Sequence, residues 1–155
     1  MSLDEKRRMV VAALGAEIPY RLVTAREVAA IHEEMVSVFG GTPGLRDYDM
    51  LESAVGRQLH EATYGVRDLP AIMATLASGV VRNHAFVDGN KRTAFGALLM
   101  GLERNGVSID YDPVEAHALF QELAAGTLSD TDFTAWVRTL VEAEESSRPG
   151  ESPVR

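Results

Sequence analysis

Between two apolar helical segments, residues 83–95 read Asn-His-Ala-Phe-Val-Asp-Gly-Asn-Lys-Arg-Thr-Ala-Phe. The nine residues 84–92 include a histidine, a carboxylate, an asparagine, a lysine and an arginine, with one glycine among them. So many polar groups in one short turn are hard to explain by folding alone. We therefore interpret the stretch as a phosphate-handling active site at the start of a helix.

The second half of the stretch has the features of an anion-binding helix start. The first N–H groups of a helix have no intrahelical partner and lie at the positive end of its dipole. Gly89 and Asn90 allow the backbone to curl into a concave set of N–H donors. Lys91 adds a compact charge beside them, and Arg92 adds a planar fork that fits two phosphate oxygens. These four residues predict a clamp for phosphates.

Two further side chains supply what phosphoryl transfer needs besides a clamp. Asp88 offers a hard oxygen ligand for Mg2+ held jointly with phosphates. Histidine gains and loses a proton readily near neutral pH, so His84, four residues before Asp88, is the candidate general base for a hydroxyl nucleophile. A clamp, a metal ligand and a base together match the requirements of phosphoryl transfer.

Each of these residues also has a purely structural interpretation. Asp88 alone is more typical of a helix cap, and His84 alone is more typical of a hydrogen-bonded structural histidine. Lys91 and Arg92 could be solvated residues of the first helical turn, but two cations there oppose the helix dipole unless an anion is bound. The functional interpretation therefore depends on the combination and not on any single residue.

The segments around this stretch predict an all-α domain of roughly seven helices. Apolar residues recur at spacings of three and four, and capping patterns precede several of these segments. The predicted helices lie at 5–17, from the Thr24 cap to Gly40, at 45–58, from Asp68 to Asn83, from Asp88 to Asn105, from Asp112 to Gly126, and after Ser129.

Three segments are predicted to be non-helical. Residues 57–69 lose the helical period and are predicted to form a flap, either a loop or a small hairpin. Residues 107–109 predict a short strand. The polar residues 146–155 are predicted to be a disordered tail.

Composition limits the function classes. The chain has 155 residues, 46% of them hydrophobic, as expected of one globular domain. It has no cysteine, which excludes disulfides and cysteine catalysis. A net charge of −8 argues against direct nucleic-acid binding. No apolar run approaches the roughly 20 residues that span a bilayer, and a cytoplasmic protein is the simplest interpretation.

The run His84-Ala-Phe-Val-Asp-Gly-Asn-Lys-Arg92 resembles the signature of the Fic/Doc family, in its Doc (death-on-curing) form. The Fic form has a second glycine at the position of Lys91 and an arginine at the position of Phe95, and both departures agree with Doc. The upstream segments 31–32, 40–47 and 51–54 also resemble the Doc pattern. The resemblance predicts a Fic/Doc domain at 22–145, after an accessory helix at 1–21.

The resemblance implies a compact helical bundle and a specific activity. Fic proteins transfer the nucleotidyl part of ATP to a target hydroxyl, whereas Doc proteins act as kinases and transfer the γ-phosphate. The family precedent is phosphorylation of translation elongation factor Tu by the toxin of a toxin–antitoxin pair. The expected cofactors are ATP and Mg2+, and the expected inhibitor is a separate antitoxin protein. The flap at 57–69 would hold the target segment by strand-like pairing.

Carried over to this chain, the resemblance assigns a role to each motif residue. His84 would activate the target hydroxyl as the base, and Asp88 would hold Mg2+. The phosphates would be held by the backbone from Gly89 onward and by Asn90, Lys91 and Arg92.

Two alternatives remain open at this point. The first is nucleotidyl transfer (AMPylation) of a protein hydroxyl, against which Lys91 and Phe95 count. The second is a catalytically silent module that acts by binding its partner. A metal hydrolase is disfavoured because His32, His60 and His117 lack ligand spacing; we predict that His32 is structural and that the other two lie at the surface. We find no Ser/Thr-x-x-x-Glu-Gly/Asn run of the kind that inhibits Fic proteins from within the chain.

Overall fold

The chain is all-α, as predicted. The computed structural model describes residues 2–14, 18–64 and 68–147, and within them it has no β-strand. One isolated antiparallel bridge joins Leu45 to Phe86. None of the described helices combines the length and the hydropathy needed to cross a membrane. The described residues form seven helices: α1 (Leu3–Leu14), α2 (Ala25–Phe39), α3 (Tyr48–Tyr64), α4 (Leu69–Asn83), α5 (Asn90–Arg104), α6 (Pro113–Ala125) and α7 (Asp130–Ser146).

Helix α4 is the centre of the core. Twelve of its 15 residues are buried, and α3, α5, α6 and α7 all pack against it. It begins as predicted, because the Asp68 side chain accepts a hydrogen bond from the Ala71 N–H at 3.1 Å. A Cβ at Gly79 would lie 3.1 Å from the Ala54 carbonyl oxygen, so α3 passes very close to the α4 backbone. This packing fixes the C-terminal end of α4, which leads into the turn at residues 84–89, called the polar turn below.

Helix α5 is held between α4 and α2. Arg104, at its C-terminal end, pairs with Glu27 of α2 and donates to the Leu22 carbonyl oxygen at 3.1 Å. Hydrogen bonding from Arg104 lowers the pKa of Glu27 to about 2. A Cβ at Gly101 would run into the Met73 side chain of α4, so the two helices are in close contact there. The polar turn therefore connects two helices, α4 and α5, whose positions are fixed by packing.

The predicted flap at 57–69 is wrong for residues 57–64, which are the last two turns of α3. The helical period was hidden because two of its inward positions are polar. Gln58 is fully buried and exchanges hydrogen bonds with the Val23 backbone, at 2.9 Å to its N–H and 2.8 Å to its carbonyl oxygen. Thr63 is buried and donates to the Leu59 carbonyl oxygen at 2.7 Å. Residues 65–67 lie outside the described part of the chain.

Several smaller predictions can also be compared with the structure. Helix α3 begins at Tyr48 and not at residue 45, because residues 44–47 pair with the backbone of 85–87. Residues 107–109 form neither a strand nor a bridge with any of the described residues, so the predicted strand is wrong. Helix α1 begins at Leu3, and its predicted end at residues 15–17 lies outside the described residues, as do residues 148–155 of the predicted tail.

Candidate active site

The residues that were predicted to form a site line one cleft of about 530 Å³. The cleft lies where the C-terminal end of α4 meets the N-terminal end of α5, with α6 along its other wall. Its polar lining residues are His84, Asp88, Asn90, Lys91, Arg92, His117 and Gln121. All six predicted site residues, Gly89 included, are therefore brought together in space as well as in sequence.

His84 ends α4 in an unusual backbone conformation. Its φ and ψ are both 47°, the left-handed region, and among the described residues it is the only non-glycine with positive φ. That conformation is disfavoured for residues with a Cβ. The Arg46 Nη2 donates to the His84 carbonyl oxygen at 2.6 Å, which holds this peptide in place. The imidazole is consequently exposed to the cleft on a fixed backbone.

The turn from 86 to 90 is closed by the side chain of Asn90. Its Oδ1 accepts from the Phe86 N–H at 3.2 Å, and its Nδ2 donates to the Phe86 carbonyl oxygen at 3.0 Å. Asn90 is 9% exposed and Phe86 is 2% exposed, so these bonds are sheltered from water. The Asn90 side chain is thus engaged within the protein. Its backbone N–H, at the first position of α5, is the group that it could offer to an anion.

His32 supports the same turn from α2. Its ring stacks on Phe86 with centroids 4.0 Å apart and planes 9° from parallel. Its Nε2 lies 2.7 Å from the Asp88 carbonyl oxygen, and since a carbonyl only accepts, that nitrogen carries the proton. The residue is 3% exposed. The prediction that His32 is structural is confirmed, and its structural role is to anchor the site.

Asp88 does not cap α5, which removes the structural interpretation considered for it. The N-cap is Gly89, in the left-handed conformation with φ 76°, and it makes no side-chain cap bond. The Asp88 carboxylate accepts instead from Thr42 N–H at 3.1 Å and from Gly89 N–H at 2.8 Å. These two bonds lower the pKa of the Asp88 carboxyl below its usual value. Asp88 is therefore an exposed, ionised carboxylate at the rim of the cleft.

The start of α5 presents two cations to the cleft, and neither forms an ion pair among the described residues, although the Asp88 carboxylate lies in the same cleft. Lys91 Nζ donates to the neutral amide oxygen of Gln121 at 2.8 Å. The Arg92 guanidinium lies 5.0 Å from the centre of the Phe39 ring. Within the described residues, neither cation is within ion-pair distance of an acid. Together with the helix dipole, they make this end of the cleft a strong site for an anion.

Four supporting residues were not predicted to belong to the site. Thr42 and Arg46 come from the loop between α2 and α3, which was noted only as part of a sequence pattern. Gln121 and His117 come from α6, where the His117 Nε2 and the Gln121 Nε2 lie 3.3 Å apart. His117 is exposed, as predicted, but it also lines the cleft. Nothing in the sequence of α6 indicates that it packs beside the start of α5.

Comparison with known proteins shows the family to which this chain belongs. The family model described as the Fic/DOC family matches residues 22–102. The protein kinase doc of Escherichia phage P1 is 34% identical over 126 residues, which cover 81% of this chain and 99% of that protein. The toxin Doc of Mycolicibacterium smegmatis (strain ATCC 700084 / mc(2)155) is 43% identical over 91 residues, 56% of this chain and 69% of that protein. The chain is a member of the Fic/Doc family, similar to a protein kinase and a toxin of the Doc type.

Proposed function

We propose that this protein is a Doc-type kinase that transfers the γ-phosphate of ATP to a Ser or Thr hydroxyl of a target protein, and that it is the toxin of a toxin–antitoxin pair. One observation carries the proposal: an exposed histidine, an ionised carboxylate and two cations that form no ion pair among the described residues surround a single cleft. The two relatives, named as a protein kinase and as a toxin, support it.

The proposed reaction is an in-line displacement. The His84 imidazole takes the proton of the target hydroxyl, and the hydroxyl oxygen forms a bond to the γ-phosphorus. The bond between that phosphorus and the oxygen bridging to the β-phosphate breaks, which leaves ADP and a phosphorylated protein. Lys91, Arg92 and the free N–H groups at the start of α5 hold the phosphates and offset the charge that develops on their oxygens.

Asp88 fits a role in holding Mg2+. It is ionised and exposed, and among the described residues Thr42 N–H donates to one of its oxygens and Gly89 N–H to the other, so each oxygen retains a lone pair for a cation. No cluster of three acidic or histidine side chains that could hold a metal occurs among the described residues. One carboxylate is nevertheless sufficient, because Mg2+ in such sites takes its other ligands from phosphates and water. When bound there, Mg2+ would neutralise phosphate charge.

The target segment would pair with the loop at 44–46 and not with residues 57–69. This loop already pairs with the backbone of residues 85–87, because Val87 N–H donates to the Gly44 carbonyl oxygen at 3.1 Å and Arg46 N–H to the Ala85 carbonyl oxygen at 2.7 Å. Leu45, which bridges Phe86, directs its own N–H and carbonyl to the opposite edge. An extended peptide added at that edge would lie beside the motif.

The proposed target is translation elongation factor Tu, in the cytoplasm, and the proposed inhibitor is a separate antitoxin chain. Residues 22–145 would form the catalytic unit, with α1 as an accessory element. Incubating the purified protein with γ-labelled ATP and elongation factor Tu, or with a cell lysate, tests this. Label on a protein band, absent with His84→Ala, is expected. Toxicity in cells that persists in His84→Ala would favour a silent binding module instead.

A further inference from the structure

A row of three hydrogen-bonded side chains links α5 to α6 along one wall of the cleft. Lys91 Nζ lies 2.8 Å from Gln121 Oε1, and Gln121 Nε2 lies 3.3 Å from His117 Nε2. All three side chains line the cleft. Gln121 and His117 lie outside residues 22–102, which match the family model, and the proposed reaction gives them no role.

The direction of the hydrogen bonds in this row follows from the chemistry of the groups. An ammonium group only donates, so the Gln121 atom beside Lys91 is the amide oxygen. The amide nitrogen of Gln121 consequently faces His117 and donates to its Nε2. That nitrogen accepts when the imidazole is neutral and carries its proton on Nδ1. In this form His117 fixes the amide orientation that presents an oxygen to Lys91.

The partner of Lys91 is uncharged, which distinguishes it from the partners of other fixed cations. The three ion pairs formed by the described residues hold Arg82, Arg104 and Arg138 against carboxylates. A carboxylate partner would cancel the charge that attracts a phosphate. The Gln121 amide holds the ammonium of Lys91 without neutralising it. One of the three N–H groups of Lys91 is then used, and two remain for ligand oxygens.

Stability does not account for this contact. Lys91 and Gln121 are both exposed, and a hydrogen bond between exposed side chains competes with water and stabilises the fold little. Its effect on ligand binding is larger. Lysine has a flexible four-carbon stem, and ordering such a side chain when an anion binds costs conformational entropy. A lysine that is already held loses less entropy on binding.

We propose that Gln121 is a positioning residue, which holds the Lys91 ammonium in the cleft before the phosphates of ATP bind. The inference rests on the proposed function and extends the phosphate clamp from the motif to α6. Gln121 acts through Lys91 and does not itself contact the phosphates. Its contribution therefore disappears when Lys91 is removed.

Equilibrium binding of inorganic tripolyphosphate to the full chain tests this role. Gln121→Met keeps the length and the helix propensity of the side chain but removes the oxygen that accepts from Lys91. We expect the Kd to rise roughly threefold to tenfold, because the ammonium must then be ordered as the anion binds. The Tm should stay within about 2 °C of wild type, since Gln121 is exposed.

The Lys91→Met background separates positioning from direct contact with the anion. In that background, Gln121→Met should change the Kd by less than about twofold. Gln121→Glu is a second check, because a carboxylate would hold the ammonium and also neutralise it; the Kd should rise roughly tenfold or more. Val114→Met is the matched control, since Val114 belongs to α6, is 77% exposed and does not line the cleft.

Three results would overturn the inference. The first is an unchanged Kd in Gln121→Met. The second is an equal rise in Kd with and without Lys91, which would mean that Gln121 contacts the anion itself or acts through the fold. The third is wild-type affinity in Gln121→Glu.

Transfer of label from γ-labelled ATP decides the kinase proposal separately. Transfer by wild type together with an unchanged Kd in Gln121→Met removes the positioning role alone. The expected changes in Kd without any transfer remove the kinase proposal alone.

Discussion

Replacing Asn90 by alanine tests whether this motif residue builds the site or contacts the ligand. In the structure its side chain closes the turn by two hydrogen bonds to the Phe86 backbone, at 3.2 and 3.0 Å. Both partners are buried, with Phe86 2% exposed. The sequence motif had suggested that Asn90 holds phosphates, whereas these contacts predict that its side chain acts mainly through the conformation of the turn.

The magnitude follows from the two backbone groups that would lose their partners. A buried donor or acceptor left without a partner costs about 1–3 kcal/mol. The Asn90→Ala variant strands one of each, so we expect the free energy of unfolding to fall by roughly 2–4 kcal/mol, allowing for partial rehydration. For a domain of this size each kcal/mol shifts the Tm by about 2–4 °C, which gives a fall of roughly 4–16 °C.

Thermal and urea unfolding of wild type and Asn90→Ala, with Glu103→Ala as control, measures this effect. Glu103 is an exposed residue of the same helix, and its replacement should change stability by no more than about 0.5 kcal/mol. Activity should fall together with stability in Asn90→Ala. A variant with the wild-type Tm and no activity would refute the reasoning, since it would place the Asn90 side chain on the ligand.

Three further predictions follow from contacts around the site. Arg46→Ala should lower kcat by up to about 100-fold with little change in the KM for ATP, because the His84 backbone loses its anchor; steady-state kinetics check this, and Arg46→Lys should recover part of the rate. Glu27→Gln should reduce the Tm near neutral pH, and since the folded pKa of Glu27 is lowered to about 2, its stabilisation is lost as pH falls from 4.5 toward that value; the difference in Tm between wild type and variant should therefore shrink over that range. Gly101→Ala should destabilise by about 1–3 kcal/mol in urea unfolding, because its Cβ would collide with the buried Met73 side chain.

The all-α fold and the cluster of site residues could be predicted because both are local in sequence. Helix starts at Thr24 and Ser129 were predicted from capping side chains, and each of these accepts from the N–H three residues later. The start at Asp68 was predicted from the proline in the first turn, and α4 does begin there. The six motif residues fall within nine positions, so a single turn brings them to one cleft. Contacts over such short separations need no knowledge of the tertiary structure.

The errors have the opposite origin, since they depend on contacts between distant segments. Gln58 reads as a break in the helical pattern until its amide is seen bonded to Val23, 35 residues earlier. The positions of Arg46 and Gln121 beside the motif result from the packing of α3 and α6, which no local pattern encodes. Because Gln58 was taken as a break in the helix, the flap was assigned to 57–69. The loop at 44–46 was therefore not considered for that role.

The identity of the transferred group tests the proposed function most directly. Purified protein, elongation factor Tu and ATP are incubated, and the intact mass of the elongation factor is measured before and after, with His84→Ala in parallel. An increase equal to one phosphate group, absent with His84→Ala, is the predicted result. An increase equal to an adenylate group would contradict it, because the α-phosphate, and not the γ-phosphate, would then have been placed at His84.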